Sequence, residues 1–218
     1  MKMSLKLVIF DLDGTLIDSS IDIANAINYA VGPYRVPLLT VQEVISLVGE
    51  GISTLMGKLI VKEGIEAGTD SLVQQFLHYY SSHLTDNTTV YPGVREMLAQ
   101  LGAYRKAVIS NKRESLSVKI LERLGLSEYM DIIVGSETVK ERKPSPLPVY
   151  YVLSTLGISP DAAIMVGDSN YDVEAGKAAG IKTVAVTYGY RPLELLQGAD
   201  FIINSMPELA GILKKLAS

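Results

Sequence analysis

A chain of 218 residues, 48% of them hydrophobic, can bury a substantial core as one large domain or two modest ones, which excludes an intrinsically disordered protein. Its net charge of −4 comes with scattered basic residues, which argues against a binder of nucleic-acid backbones. It has no cysteine, so disulfides, thiolate nucleophiles and cysteine metal sites are excluded, and the composition suits a reducing compartment. The apolar segment from Leu7 to Phe10 is too short for a signal-peptide core, and no apolar run is long enough to span a bilayer. A soluble cytoplasmic protein with small partners is expected, binding neither nucleic acid nor membrane, its oligomeric state left open.

In chain order, Leu7 to Phe10 reads as a strand that ends abruptly in Asp11-Leu12-Asp13-Gly14-Thr15. Side chains two apart on an extended chain point the same way, so Asp11 and Asp13 are expected to converge, with Gly14 letting the backbone turn behind them. Two close anions require a cation. The plainer alternative is an acidic turn capping the next helix. From Ser19 to Val31, the residues Ile21, Ala24, Ile27, Asn28 and Val31 share a helical face, with Ser19 or Ser20 as N-cap. Further helices are expected from Thr40 to Leu47, Ser53 to Val61 and Asp70 to Leu84, with no strand between Leu16 and Leu84. These four helices suggest a small bundle inserted after the first strand, acting as a lid.

After Tyr91-Pro92-Gly93 the periodicity changes. Strands are expected at Ala107 to Ile109, Ile132 to Val134, Ala163 to Val166, Thr183 to Val186 and Phe201 to Ile203. Helices are expected at Val94 to Leu101, Ser115 to Leu124, Pro146 to Leu156, Val173 to Ala179 and Pro207 to Leu216. Strand and helix in alternation predict an α/β fold, a parallel sheet covered by helices on both faces. The predicted domains are a core of residues 1–15 and 85–218 and an all-helical cap of residues 16–84.

Polar groups follow three of the strands: Asp11 and Asp13, then Ser110-Asn111-Lys112, then Gly167-Asp168-Ser169 with Asp172. In an open parallel α/β sheet, ligands bind beyond the carboxyl ends of the strands near a switch in strand order, so these groups could meet. Carboxylates with a hydroxyl and lysines, and no histidine triad, point to a hard cation holding an anionic oxygen substrate, most simply magnesium with a phosphate. The plainer reading of Asp168 and Asp172 is an N-cap and a first-turn acid, which a buried strand leading straight into Asp168 argues against for that residue. Gly49-Glu50-Gly51 could present backbone amides to a substrate or simply break two helices.

Taken in order, Asp11-Leu12-Asp13-Gly14-Thr15, Ser110-Asn111-Lys112, Lys143-Pro144-Ser145-Pro146 and Gly167-Asp168-Ser169-Asn170-Tyr171-Asp172 resemble the four motifs of the haloacid dehalogenase-like hydrolases. The likeness spans nearly the whole chain. Asp18-Ser19, Val48-Gly49-Glu50-Gly51, Tyr91-Pro92-Gly93-Val94 and Ala175-Gly176-Lys177-Ala178-Ala179-Gly180 are similar to the phosphoglycolate phosphatase branch. The resemblance implies a Rossmann-like core with a helical cap and a Mg2+-dependent phosphatase acting on a small phosphorylated metabolite, with 2-phosphoglycolate the leading candidate. It implies Asp11 as nucleophile, forming an aspartyl-phosphate, and Asp13 as acid and base. Mg2+ would be held by Asp11, the Asp13 carbonyl and Asp168, with Asp172 holding a metal water or orienting Lys143. Ser110, Asn111 and Lys143 would bind the phosphate, and Lys143 is selected from the run Lys140-Glu141-Arg142-Lys143 only by its place before Pro144. Gly49, Glu50 and Gly51 would touch substrate from the cap. The alternatives are a phosphosugar mutase of the β-phosphoglucomutase type, an inorganic pyrophosphatase, or a non-catalytic module that binds a phosphoanion.

Overall fold

The computed structural model describes residues 5–217. Leu7–Phe10 forms β1, with all four residues buried. A strand covered on both faces has no polar alternation to show, hence its unbroken apolar sequence. There follow β2 (Ile17–Asp18), α1 (Ser20–Val31), α2 (Val41–Leu47), α3 (Ile52–Glu63), α4 (Thr69–Tyr80) and β3 (Thr89–Val90). The chain then alternates through α5 (Val94–Gln100), β4 (Arg105–Ile109), α6 (Glu114–Arg123), β5 (Ile132–Val134), α7 (Leu147–Leu156), β6 (Ala163–Gly167) and α8 (Asn170–Ala178). It ends with β7 (Lys182–Val186), β8 (Phe201–Ile203) and α9 (Leu209–Ala217).

Six strands form one sheet in the order β5-β4-β1-β6-β7-β8, with every neighbouring pair parallel. This is the α/β Rossmann-like architecture expected from the alternation. Phe10 lies opposite both Val108 of β4 and Val166 of β6, so the acidic loop after β1 starts level with the ends of its two neighbours. Leu7 and Ile9 pack with Val149 and Val152 of α7, with Ala175 of α8 and with Ala179 just beyond it. Val8 and Phe10, which alternate to the other face, are equally buried. Each such large apolar side chain contributes about 1.5–3 kcal/mol through its removal from water, which anchors the strand that carries Asp11.

By its internal contacts the chain divides into two compact units, one running up to Asp18 and again from Val90, the other Ser19–Thr89. The divisions expected from sequence fall after residues 15 and 84. The expectation of no strand between Leu16 and Leu84 is corrected by β2, which pairs with β3 in a two-stranded sheet. A two-residue strand has no period to read. Similarly, β4 and β7 begin on exposed Arg105 and Lys182, where the backbone ladder outruns the apolar run. Helix α8 starts at Asn170 rather than Val173 because its first turn is polar and set by a Ser169/Asp172 capping box. In the opposite sense, α4 ends at Tyr80 although the buried apolar pattern continues to Leu84.

Within the helical unit, Ile21 of the expected α1 face is 44% exposed, and Ile23, Ala26 and Ala30 join Ala24, Ile27 and Val31 inside. Asn28 does not pack as a core residue; its amide bonds both the N–H and the carbonyl of Leu39 at 2.9 Å. Thr40 and Glu43 form the capping box that starts α2. Among the described residues no single helix is long and apolar enough to cross a membrane.

Asp22 of α1 is 1% exposed and ties that helix to the end of the unit, accepting from the N–H and Nδ2 of Asn87 and the N–H and Oγ1 of Thr88. Burial alone would raise its pKa, but together the bonds from Asn87 and Thr88 hold it below the ordinary aspartate value. Such a group stabilises the fold above its unfolded pKa, and that stabilisation is lost as pH falls through the lowered folded value. Replacing Asp22 by Ala should therefore cost about 2–4 kcal/mol near neutrality, since several buried donors lose their acceptor. In urea titrations the gap between variant and parent should narrow as pH is lowered from about 6 to about 3.

Candidate active site

The three levelled strands deliver their loops to one edge of the sheet. Asp11 follows β1 directly, its N–H bonded to the Val166 carbonyl at 2.9 Å. Both donors to its side chain converge on Oδ1: the Leu12 N–H at 2.7 Å and Lys143 Nζ at 2.8 Å. Gly14 turns the chain with φ +85°, and a Cβ there would overlap the Asp168 carboxylate. Only glycine fits that combination of left-handed backbone and close approach.

Lys143 arrives from the loop before α7, its peptide bond to Pro144 cis, and is 3% exposed. Its ammonium has three donors, and the structure supplies three acceptors: Asp172 Oδ1 at 2.6 Å, Asp11 Oδ1 at 2.8 Å and the Ile109 carbonyl at 2.7 Å. Burial would depress its pKa, but the charges of Asp11 and Asp172 hold it well above the ordinary lysine value, so it stays cationic. Asn111 donates Nδ2 to the Lys143 carbonyl at 2.9 Å, linking the loop after β4 to this lysine. Ser110, 4% exposed, accepts from the Lys112 N–H at 3.2 Å.

Asp168 ends the buried run of β6 and accepts from the Tyr190 N–H at 2.6 Å. Asp172 serves its capping box through Oδ2, from the Ser169 N–H at 3.0 Å and Oγ at 2.6 Å, and Lys143 through Oδ1. Its capping and site roles therefore coexist in one carboxylate. Asp11, Asp168 and Asp172 are all buried and bring oxygens within 4.8 Å of one another. The Asp13 carboxylate is not in that cluster. Beyond the bend at Leu12 it is paired with Lys112, Oδ1 to Nζ at 2.7 Å, so the two acids of the first motif face different cations.

Charge decides what the cluster can hold. Were all three carboxylates ionised, the one ammonium in contact with them would leave an excess of two negative charges, the complement of one divalent cation. Burial and then the Asp172 charge raise the Asp11 pKa well above normal despite Lys143. Burial and Asp172 likewise push Asp168 up to about 7. An all-oxygen set short of positive charge suits a hard cation such as Mg2+.

With the motifs on one sheet edge, the comparison with known proteins is decisive. The family model for haloacid dehalogenase-like hydrolases matches residues 8–186. The chain belongs to that family. It is 43% identical to the phosphoglycolate phosphatase of Chromobacterium violaceum over 216 residues, covering 96% of this chain and 97% of the relative. Identity to the phosphoglycolate phosphatase of Aquifex aeolicus is 37%, covering 96% and 97%. The crystal structure of a predicted phosphoglycolate phosphatase from Haemophilus somnus superposes with a TM-score of 0.90 at 30% identity, covering 96% of this chain and 98% of that one. A predicted phosphatase from Clostridium acetobutylicum gives 0.87 at 28% identity, covering 98% and 100%.

Gly49, Glu50 and Gly51 lie between α2 and α3 in the helical unit, Gly51 as N-cap of α3, and Glu50 is paired with Lys58 at 2.8 Å. Sequence reasoning passed over Lys112 as a partner for Asp13 and missed Tyr188 and Tyr190 entirely. Tyr188 donates its hydroxyl to the Thr15 carbonyl at 2.9 Å and packs its ring 4.7 Å from that of Tyr91. The usable signal was position: Tyr188 and Tyr190 follow β7, and β7 neighbours β6 at the same edge.

The raised carboxylates fix a sign for stability without added metal ion. Folded Asp11 and Asp168 hold protons more tightly than when unfolded, so their contribution is fully present below the ordinary aspartate value and lost as pH rises through their raised folded values, for Asp168 about 7. Urea midpoints of the metal-free protein should fall between about pH 5 and about pH 8, and millimolar Mg2+ or Asp168→Asn should flatten that fall.

Proposed function

We propose that this protein is a cytoplasmic, Mg2+-dependent phosphomonoester hydrolase working through an aspartyl-phosphate, with 2-phosphoglycolate as its substrate. The observation that carries the reading is Asp11, a buried carboxylate at the carboxyl end of the central strand with both donors on Oδ1. Oδ2 is thereby the oxygen offered to phosphorus. The substrate assignment rests on the phosphoglycolate phosphatases to which the chain is similar over almost its full length.

Asp11, Asp168 and the Asp13 carbonyl would hold the cation, with Asp172 behind them; bound there, Mg2+ would supply Lewis-acid charge that relieves repulsion between carboxylate and phosphate. Asp11 Oδ2 attacks phosphorus, the bond to the ester oxygen breaks, and Asp13 gives that oxygen its proton. Asp13, now a carboxylate, takes a proton from water, which attacks the same phosphorus and returns Asp11 with release of inorganic phosphate. Lys112, 2.7 Å from Asp13, holds that carboxyl group in place. Lys143 fixes the Asp11 carboxylate while neutralising part of its charge. Ser110 and Asn111 are assigned to the phosphate oxygens, and the helical unit, with Gly49, Glu50 and Gly51, to selection of the substrate.

Steady-state assays with Mg2+ should show the highest kcat/KM for 2-phosphoglycolate among sugar phosphates, nucleotides and pyrophosphate. Asp11→Asn should abolish turnover and phosphoenzyme formation, and Asp13→Asn should lower kcat by about 10²-fold to 10⁴-fold. Metal-dependent turnover by Asp11→Asn would overturn the assignment of the nucleophile.

A further inference from the structure

One short segment touches both the carboxylate cluster and the point where the chain leaves the sheet unit. Tyr190 donates its N–H to Asp168 Oδ2 at 2.6 Å and its hydroxyl to Asp18 Oδ1 at 3.2 Å. Asp18 is the second residue of β2 and the last of its unit before the helices. The intervening glycine belongs to the same arrangement: a Cβ on Gly189 would overlap both the Asp168 side chain and the Gly14 carbonyl. Tyr188 completes it by bonding the carbonyl of Thr15. From Gly14 to Asp18, the stretch joining the acidic loop to β2 is thus held against Tyr188, Gly189 and Tyr190 at several points.

We propose that Tyr190 is a positioning residue that couples Asp168 to Asp18, so that cation affinity at the cluster and the placement of β2 are set together. The proposal rests on the reading of the cluster as a divalent-cation site. Its physical basis is that a residue bonded at both ends has little torsional freedom. The hydroxyl bond fixes the ring, the ring fixes the backbone of Tyr190, and the backbone N–H aims Asp168. Outer partners of this kind orient the groups that hold a metal and strengthen its binding. Linkage makes the coupling reciprocal, so a change at Asp18, which is not in the cluster, is felt as a change in Mg2+ affinity.

The test is calorimetric titration of the full chain with Mg2+ alone, without substrate. Tyr190→Phe keeps the ring and the N–H and removes only the hydroxyl; it should weaken Mg2+ binding about threefold to tenfold, the effect of one hydrogen bond. Asp18→Ala should weaken it as much, and the double variant no more than either single one. Asp18→Asn, which loses the charge but still offers an oxygen to the Tyr190 hydroxyl, should stay within about twofold of the parent. Unchanged affinity in Tyr190→Phe, additive effects in the double variant, or an Asp18→Asn loss equal to that of Asp18→Ala would each overturn the coupling while leaving the phosphatase reading in place. A parent chain that binds no Mg2+ would overturn the cation site and the coupling with it.

Discussion

The ammonium of Lys143 touches two of the three clustered carboxylates, and the arrangement of the sheet edge follows from the need to keep it there. Removing several acids from water is unfavourable by several kcal/mol each unless charge and hydrogen bonds compensate. Here one ammonium meets Asp11, Asp172 and the Ile109 carbonyl at once, with Asn111 fixing the backbone of the lysine itself. The loop after β1, the end of β4, the first turn of α8 and the loop before α7 are therefore bound to one another through a single charge. With all three carboxylates ionised, what Lys143 leaves uncompensated equals the charge of one divalent cation.

That convergence is a product of strand order. Placing β1 between β4 and β6 puts the switch in chain direction at the centre of the sheet, where loops diverge and leave room for a ligand. Parallel register then sets the level: Phe10 opposite Val108 and Val166 means that Asp11, Ser110 and Asp168 all follow within two residues of matched positions. No local preference brings these side chains together. The burial of β1 on both faces does, because a strand packed on every side cannot shift its register without exposing apolar surface.

The same logic explains how much was legible beforehand. Strand positions and the order of the motifs could be read because long buried runs and chemically unusual strand ends both leave marks in the sequence, as Asp11 and Asp168 show. Helix α8 was read three residues late because its first turn is polar and its start depends on a capping box, a signal of side-chain chemistry rather than periodicity. The short strand β2 and the exposed side of α1 at Ile21 run against expectation for the related reason that tertiary contacts, not period, decide them. Lys112 and Tyr190 were invisible in their roles, since each acts on an acid far away in sequence, Asp13 and Asp168 respectively. Sequence proximity carries no record of such partners.

The separation of the two first-motif acids is where structure and proposed chemistry meet. Asp11 belongs to a cluster of three buried carboxylates in contact with one ammonium, whereas Asp13 is paired with Lys112. An attacking carboxylate must approach a phosphate dianion, so its surroundings need surplus positive charge at the moment of attack. An acid that later becomes a base is better placed outside that crowd of carboxylates, where it can exchange its proton with the ester oxygen and with water. Two aspartates separated by a single leucine meet these opposite requirements because the chain bends at Leu12, so the strand's extended conformation does not continue between them. Had the strand continued, both side chains would face one cluster with one more negative charge to balance, and the division between nucleophile and proton carrier would have no structural basis.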